Sequence, residues 1–413
     1  MLLQQKKNIG ENHKSLEQNK IYRFFNNLVE AWFNEYKVIF RDAGVITLFI
    51  IAVLVYPLLY SLAYNNELAK EVPIVVVDQS DSDLSRKLIS MLDATDEVQV
   101  LYKMPDFNEA KILFDKSEVY GVIDIPEDFD KKILRFETAT ISVYADASYM
   151  LIYKQIMMAS NYAVGTMSAG VEIQRRISKG NQVEEAFIER DPMPVETYAL
   201  YNPKGGYASY AMPAVLLLIL QQTLLLGIGL IGGTQREKGF IHFLVPIGVK
   251  RGGSLSIIFG KSLAFFSIYL INTLYVLVVV FRLFNLPMRG NFFEIFIFLT
   301  PFLFAVIYLG MTFSSFFKKR EHALMLLLFT SIPFVFLSGF SWPNYAMPEW
   351  QGWFSKIIPS TPAIQGFLAL SQKSASFNDV FYNWLHLWGL MFFYLTTASL
   401  LLKRRVIKFN KKD

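Results

Sequence analysis

The chain has 413 residues, 53% of them hydrophobic, 15% aromatic and only 18% charged. Soluble domains average about 25% charge, so this composition excludes an ordinary water-soluble protein. The absence of cysteine excludes a disulfide framework, a thiolate metal site and a cysteine nucleophile, and the four histidines, His13, His242, His322 and His386, are too scattered to suggest a metal cluster.

The formal charge of +5 is segregated along the chain. Between Tyr64 and Gly206 there are 24 Asp and Glu against 15 Lys and Arg, which leaves 11 acids and 25 bases elsewhere. In a nucleic-acid binder that basic excess would mark a phosphate-binding face. In a membrane protein it follows from the retention of Lys and Arg on the cytoplasmic side of each span, and the apolar runs below decide for the membrane, with lipid and not nucleic acid as the surrounding partner.

Residues 1–42 read as a cytoplasmic tail and an interfacial helix. The first forty are polar or amphipathic, so no cleavable signal peptide is expected. Ile21, Phe25, Leu28, Trp32, Tyr36 and Ile39 recur every three or four positions and predict one apolar helical face, diluted on the other side by Glu30, Glu35 and Lys37. A soluble core helix is the alternative. Residues 43–63 follow as the first span, with Ala43 to Leu62 uncharged and long enough to cross a hydrocarbon layer of about 30 Å. Lys37 and Arg41 before it, and Asn65-Asn66-Glu67 after it, predict a signal anchor with its N terminus inside.

Residues 64–206 predict one extracytoplasmic α/β domain. Strands are expected over Ile74 to Val77, Val98 to Tyr102, Val119 to Ile125 and Thr140 to Tyr144. Helical patterns fall between them, over Leu84 to Leu92, after Asp106 and after Pro126-Glu127-Asp128, with a long one from Ser148 to about Lys179. Strands alternating with helices suggest mixed α/β layers.

Residues 207–403 hold five further apolar runs, at Tyr210 to Ile231, Ser262 to Phe281, Phe292 to Phe313, Ala323 to Phe340 and Trp384 to Leu402. The basic clusters Arg236, Lys238, Lys250 and Arg251, then Lys318, Lys319 and Arg320, then Lys403, Arg404 and Arg405 all fall inside if the N terminus is inside. The basic tail 404–413 would then be cytoplasmic. Arg282 and Arg289, in a short outer loop, are exceptions. The fold class expected is an α-helical polytopic membrane protein with six transmembrane helices and an inserted α/β extracytoplasmic domain.

A phosphate-cradling loop needs Gly, four residues, then Gly-Lys-Ser/Thr. Gly260-Lys261-Ser262 supplies the second half, but Leu255 stands where the first glycine belongs, so no ATP hydrolysis by this chain is expected. No paired-carboxylate, Ser/His/Asp or HExxH arrangement appears, and catalytic, metal and cofactor sites are all expected to be absent. Lys261 is expected to snorkel to the interface. Gln221, Gln222 and Thr223 lie mid-span, where amides either pair with a neighbouring helix or line a substrate path. Glu294 and His386 sit at span ends within reach of water. Buried coupling charges, the mark of an ion-driven transporter, are scarce.

The stretch Gln235-Arg236-Glu237-Lys238-Gly239-Phe240-Ile241-His242-Phe243-Leu244-Val245-Pro246-Ile247 resembles the signature of type-2 ABC exporter permeases, in which Arg-Glu-Lys/Arg-Gly-Thr after the second span leads into a short coupling helix. Phe240 stands where that family often has Thr. Ser338-Gly339-Phe340-Ser341-Trp342-Pro343, Met347-Pro348-Glu349-Trp350 and Ile358-Pro359-Ser360-Thr361-Pro362 resemble the family's segment after the fifth span, with Pro362 where Tyr is common. Tyr201-Asn202-Pro203 and Pro213 resemble its run into the second span. The resemblance covers nearly the whole chain, including the large domain between the first two spans found in bacterial drug and lipid export permeases.

What the resemblance implies is a bacterial inner-membrane permease that pairs with a second permease and docks a coupling helix, about 235–250, on a separate cytoplasmic ABC ATPase carrying the ATP and Mg. Arg236, Glu237, Lys238, Gly239, Phe240, Phe243, Leu244 and Pro246 would form that contact. Phe240, Phe243 and Leu244 share a helical face, which suits a docking groove or, alternatively, lipid headgroups. A segment of about 341–380, with Gly339, Trp342, Pro343, Pro348 and Trp350 at its start, would partly re-enter the membrane on the outer side. The cargo would be a hydrophobic or amphipathic drug, lipid or similar molecule, and a periplasmic adaptor protein would be a further partner of the outer domain. The competing readings are a membrane scaffold or receptor with an outer sensor domain, and an ion-coupled transporter.

Overall fold

A computed structural model of the chain describes residues 2–65, 67–180, 182–185, 198–203, 205–239 and 253–410. They fall into two compact units, Met1–Asn65 with Lys204–Asp413, and Asn66–Pro203.

The first unit is helical. It comprises α1 (Leu2–Arg41), α2 (Ala43–Ala63), α7 (Tyr207–Glu237), α8 (Ser254–Leu283), α9 (Phe292–Ser314), α10 (Arg320–Leu337), the short α11 (Glu349–Lys356), α12 (Ser360–Lys373) and α13 (Phe381–Asn410). Six helices among the described residues, α2, α7, α8, α9, α10 and α13, are long and apolar enough to cross a membrane. The protein is a polytopic helical membrane protein with an inserted α/β domain. The helix α7 is apolar on all sides and buries nearly its whole length against α2, α9, α10 and α12, as a helix without a polar face must. By contrast α10 leaves most of its surface exposed, including Leu328, Phe329 and Ile332.

Three details differ from the sequence-based expectation. The first helix starts at Leu2, not near Ile21, and packs on α8 through Ala31, Glu35 and Ile39, while Ile21 and Phe25 are exposed. The approach is close enough to require glycine, since a Cβ on Gly260 would lie 2.4 Å from the Leu28 carbonyl. The third span begins at Ser254, ahead of Lys261, so that lysine lies inside a helix wall and does not mark its end. The fifth stops at Leu337, and Gly339 takes a φ of +85°, a conformation that side chains rarely tolerate.

Among the described residues two helices carry π stretches, Thr47–Ala52 in α2 and Tyr275–Val280 in α8. Side chains of α8 donate to carbonyls of α2 beside them: Asn272 Nδ2 to Phe49 O at 2.8 Å, and Tyr275 OH to Leu54 O at 3.0 Å. With no water in the bilayer core, such side chains satisfy groups that an irregular helix leaves open.

The second unit runs β1 (Val72–Asp78), α3 (Asp83–Asp93), β2 (Val98–Met104), α4 (Phe107–Asp115), β3 (Gly121–Ile125), α5 (Phe129–Leu134), β4 (Ser142–Ala145) and α6 (Met150–Ser178). Its sheet has the order β2-β1-β3-β4, with β1 parallel to both neighbours and β4 antiparallel to β3. The central strand is apolar without alternation because it is buried on both faces. Ile74 and Val76 join Leu88, Phe129 and Ile156 in one core, and Val75 and Val77 join Ala110 and Val122 in another. Ser82 caps α3 through a capping box with Ser85, whose hydroxyl also donates to Asp78 Oδ2 at 2.7 Å. Asp106 accepts from Asn108 N at the start of α4, whereas Asp128 makes no side-chain cap on α5.

Candidate functional site

The last turn of α7 is where the helical unit gathers its charges. Arg236 Nη1 donates to the carbonyls of Ser315 at 3.1 Å and Phe317 at 2.8 Å, so a cation caps the C-terminal end of α9. Arg405 of α13 donates to the same Ser315 carbonyl. Thr234 Oγ1 accepts from Arg320 Nη1 at 3.3 Å, and Glu237 accepts from the Arg320 backbone N–H at 3.5 Å. Arg320 in turn forks onto Asp42 at 2.6 and 2.8 Å. That carboxylate also caps α2 by accepting from Gly44 N and Val45 N. The Arg320 guanidinium above all holds the Asp42 carboxyl below its ordinary value of 3.8.

A second pair sits next to this one. Glu35 of α1 and Lys261 of α8 meet at 2.8 Å with both side chains buried, and Lys261 also donates to Gln235 Oε1 at 3.3 Å. Lys261 therefore pairs within the protein and does not snorkel, and Glu35 belongs to the buried face of α1, not to its polar one. A cavity of about 80 Å³ opens between α1, α7, α8, α9 and α13 at this pair. In consequence four consecutive residues, Thr234, Gln235, Arg236 and Glu237, tie α7 to α8, α9 and α10, and through their partners to α1 and α2.

Of the coupling residues expected from the sequence, Arg236 and Glu237 are thus committed to partners inside the unit. Lys238 is exposed, and Gly239, at φ +68°, ends the helix. Phe240, Phe243, Leu244 and Pro246 lie outside the described residues. Gly260-Lys261-Ser262 is helical, with Ser262 Oγ donating to Phe259 O and accepting from Tyr308 OH.

Gln221 and Thr223 pair between helices. Gln221 Nε2 donates to Ser360 Oγ at 3.1 Å, and Thr223 Oγ1, bonded to Ile219 O, accepts from Tyr269 OH at 2.9 Å. Gln222 is half-buried on the adjacent face. The first of these contacts places the N-terminal end of α12 at the middle of α7. Before it, the chain turns at Gly339, Tyr210 OH donates to Phe340 O, and Thr361 Oγ1 reaches back to Leu337 O at 3.0 Å. Trp342, Pro343, Pro348 and Trp350 are exposed on this turn. Arg289, an exception in the charge pattern, caps α12, its N–H on Ser371 O at 2.7 Å and its guanidinium on Gln372 O at 3.3 Å.

The residues that sequence reasoning missed are Glu35, Asp42, Gln235, Arg320 and Arg405. A carboxylate four residues from both Ala31 and Ile39 was the available signal for Glu35; nothing local marks its partner.

Residues 43–400 match the family model described as ABC-2 family transporter protein. The chain is 21% identical over 369 residues to the probable multidrug ABC transporter permease YbhR of Escherichia coli, covering 88% of this chain and 94% of that one. It is 23% identical over 415 residues to ABC transporter G family member 20 of Dictyostelium discoideum, covering 98% of this chain but 54% of that protein. Similarity to ABC transporter G family member 23 of the same organism, 21% over 332 residues, covers 80% of this chain and 45% of the relative. The chain thus spans about half the length of the Dictyostelium relatives and nearly all of YbhR. Six spans, an inserted α/β domain, a polar hub closing the second span and a family match that runs through all of them lead to one assignment: the chain belongs to the ABC-2 transporter family, as a membrane-spanning permease of the type-2 ABC kind.

Proposed function

We propose that this permease exports a hydrophobic or amphipathic molecule, drug-like or lipid-like, from the cytoplasm or inner leaflet of a bacterial inner membrane. A separate cytoplasmic ABC ATPase, holding ATP and Mg, supplies the energy, and two permeases form the pathway. The observation that carries this reading is the hub at the end of α7. It stands immediately before residues 240–252, so a push on those residues would reach α1, α2, α8, α9 and α10 through it.

Several features support the details. Arg236, Arg320 and Arg405 gather at one end of the helical unit, which by the positive-inside tendency is the cytoplasmic end, and on the same ground both termini are assigned to the cytoplasm. The printed name of the YbhR relative supports a drug-like cargo and a bacterial membrane. The mismatch at Leu255 and the helical setting of Gly260-Lys261-Ser262 support ATP hydrolysis by the partner and not by this chain. A periplasmic adaptor receiving cargo from the inserted domain is part of the same proposal.

The test is affinity purification from detergent-solubilised membranes. The intact chain is expected to bring down an ABC ATPase, and a folded Phe240→Asp, Phe243→Asp variant is expected to lose it. If neither captures an ATPase, the exporter reading fails and a scaffold or receptor role takes its place.

A further inference from the structure

The inserted domain contains a cavity of about 350 Å³ between α3, α5, α6 and the loop 136–141. That is the volume of about a dozen waters, and it falls in the ~300–1,000 Å³ range of small-molecule sites. Its floor is apolar, formed by Leu88, Phe129, Ile133 and Met167. Polar side chains confined to the rim leave the floor to apolar groups, against which a hydrocarbon chain would lose its own water-exposed surface on entering.

The mouth carries a cation that its neighbours satisfy only in part. Glu172 accepts from Arg176 Nε at 2.9 Å and stands 3.6 Å from Arg175 Nη1, so one carboxylate is shared by two guanidiniums. Arg175 lies over the Phe136 ring at 5.2 Å, and its Nε–H is shut off from solvent with no hydrogen-bond partner among the described residues. The Arg175 side chain as a whole is 37% exposed at the mouth, so its guanidinium can still donate to a second carboxylate, the anion that an Arg fork suits best. Thr138 and Ser168 add hydroxyls beside it. Glu137, also on the rim, is exposed, where water and salt screen its charge.

We infer that this cavity is a binding site for a carboxylate-headed amphiphile, its chain on the apolar floor and its head on Arg175. The inference goes beyond the export proposal and stands independently of it, because every residue used belongs to the inserted domain.

The test uses the full chain in lipid nanodiscs, photolabelled with a decanoate bearing a terminal diazirine, with the labelled peptides then mapped. Saturable labelling is expected within 129–141 and 164–175, competed by decanoate and not by decylamine. Arg175→Gln is expected to weaken labelling by about 10- to 100-fold, the worth of a charge-assisted hydrogen bond, while the thermal transition stays in place because Glu172 keeps Arg176. Met167→Trp fills the floor and is expected to abolish labelling; Ser168→Trp, at an exposed position on the same wall, serves if the first fails to fold. Labelling that is absent, does not saturate, is unchanged in Arg175→Gln or is competed equally by decylamine overturns the site. Absence of ATP-driven export by the intact chain, with labelling intact, counts against the export proposal alone.

Discussion

Replacing Glu35 with Leu leaves the Lys261 ammonium in a protein wall with only the Gln235 amide for company. The pair is 2.8 Å apart, with side-chain exposures of 3% for Glu35 and 14% for Lys261, so water does little to screen it. At that distance and an effective dielectric constant of about 20, the attraction is about 6 kcal/mol. Desolvation of the two ions consumes most of it, at several kcal/mol each. The intact pair is thus nearly neutral for stability, whereas removing one member is expected to cost about 3–5 kcal/mol, because the other charge stays buried without compensation. Glu35→Leu and Lys261→Met should each show that loss. The double variant Glu35→Leu, Lys261→Met should recover most of it, giving a coupling energy of at least about 2 kcal/mol. Unfolding by SDS titration of the purified protein in mild detergent micelles measures all four corners of the cycle. Single losses below about 1 kcal/mol, or a double variant equal to the sum of the singles, would refute the placement of this pair inside the bundle.

Three other outcomes are expected. Gln221→Leu should cost about 1 kcal/mol through the lost bond to Ser360, and Ser360→Ala should add little on top of it, measured by the same titration. Asp42→Asn should lower the melting temperature most at neutral pH. A carboxyl held below its ordinary value stabilises the fold above that value, so the gap to wild type should close as pH falls through the depressed pKa; a gap that widens in acid contradicts the Arg320 pairing. Ser82→Ala removes a capping box and should destabilise the inserted domain by about 1 kcal/mol, read by hydrogen exchange over α3.

Much of this architecture is legible in the chain itself. Uncharged runs near twenty residues announce the spans, and the β-branched run Ile74 to Val77 with the Asp78-Ser82 turn announces the central strand and its helix. Strand order is not, since nothing local distinguishes β2 as an edge or β4 as antiparallel. The site is half legible. The run from Gln235 to Gly239 stands out, but nothing in it signals that Gln235, Arg236 and Glu237 also bond to neighbouring helices. Glu35 and Lys261 are 226 positions apart, and each looks solvated until the other is beside it. The charge of Lys261 therefore moved the expected start of the third span too far along the chain, because a lone lysine signals an interface whereas a paired one does not.

The π stretches in α2 and α8 bear on how such sequences change length. A stretch of this kind holds one residue more than an α-helix spanning the same rise, so deleting one residue from Thr47–Ala52 lets the helix close into regular α geometry with both ends still facing their partners. The same deletion in an unbroken part of the span turns everything beyond it by about 100° and presents the wrong faces to α7 and α8. Across descendants of this chain, single-residue gaps in the first and third spans should therefore collect at these two places and nowhere else along them.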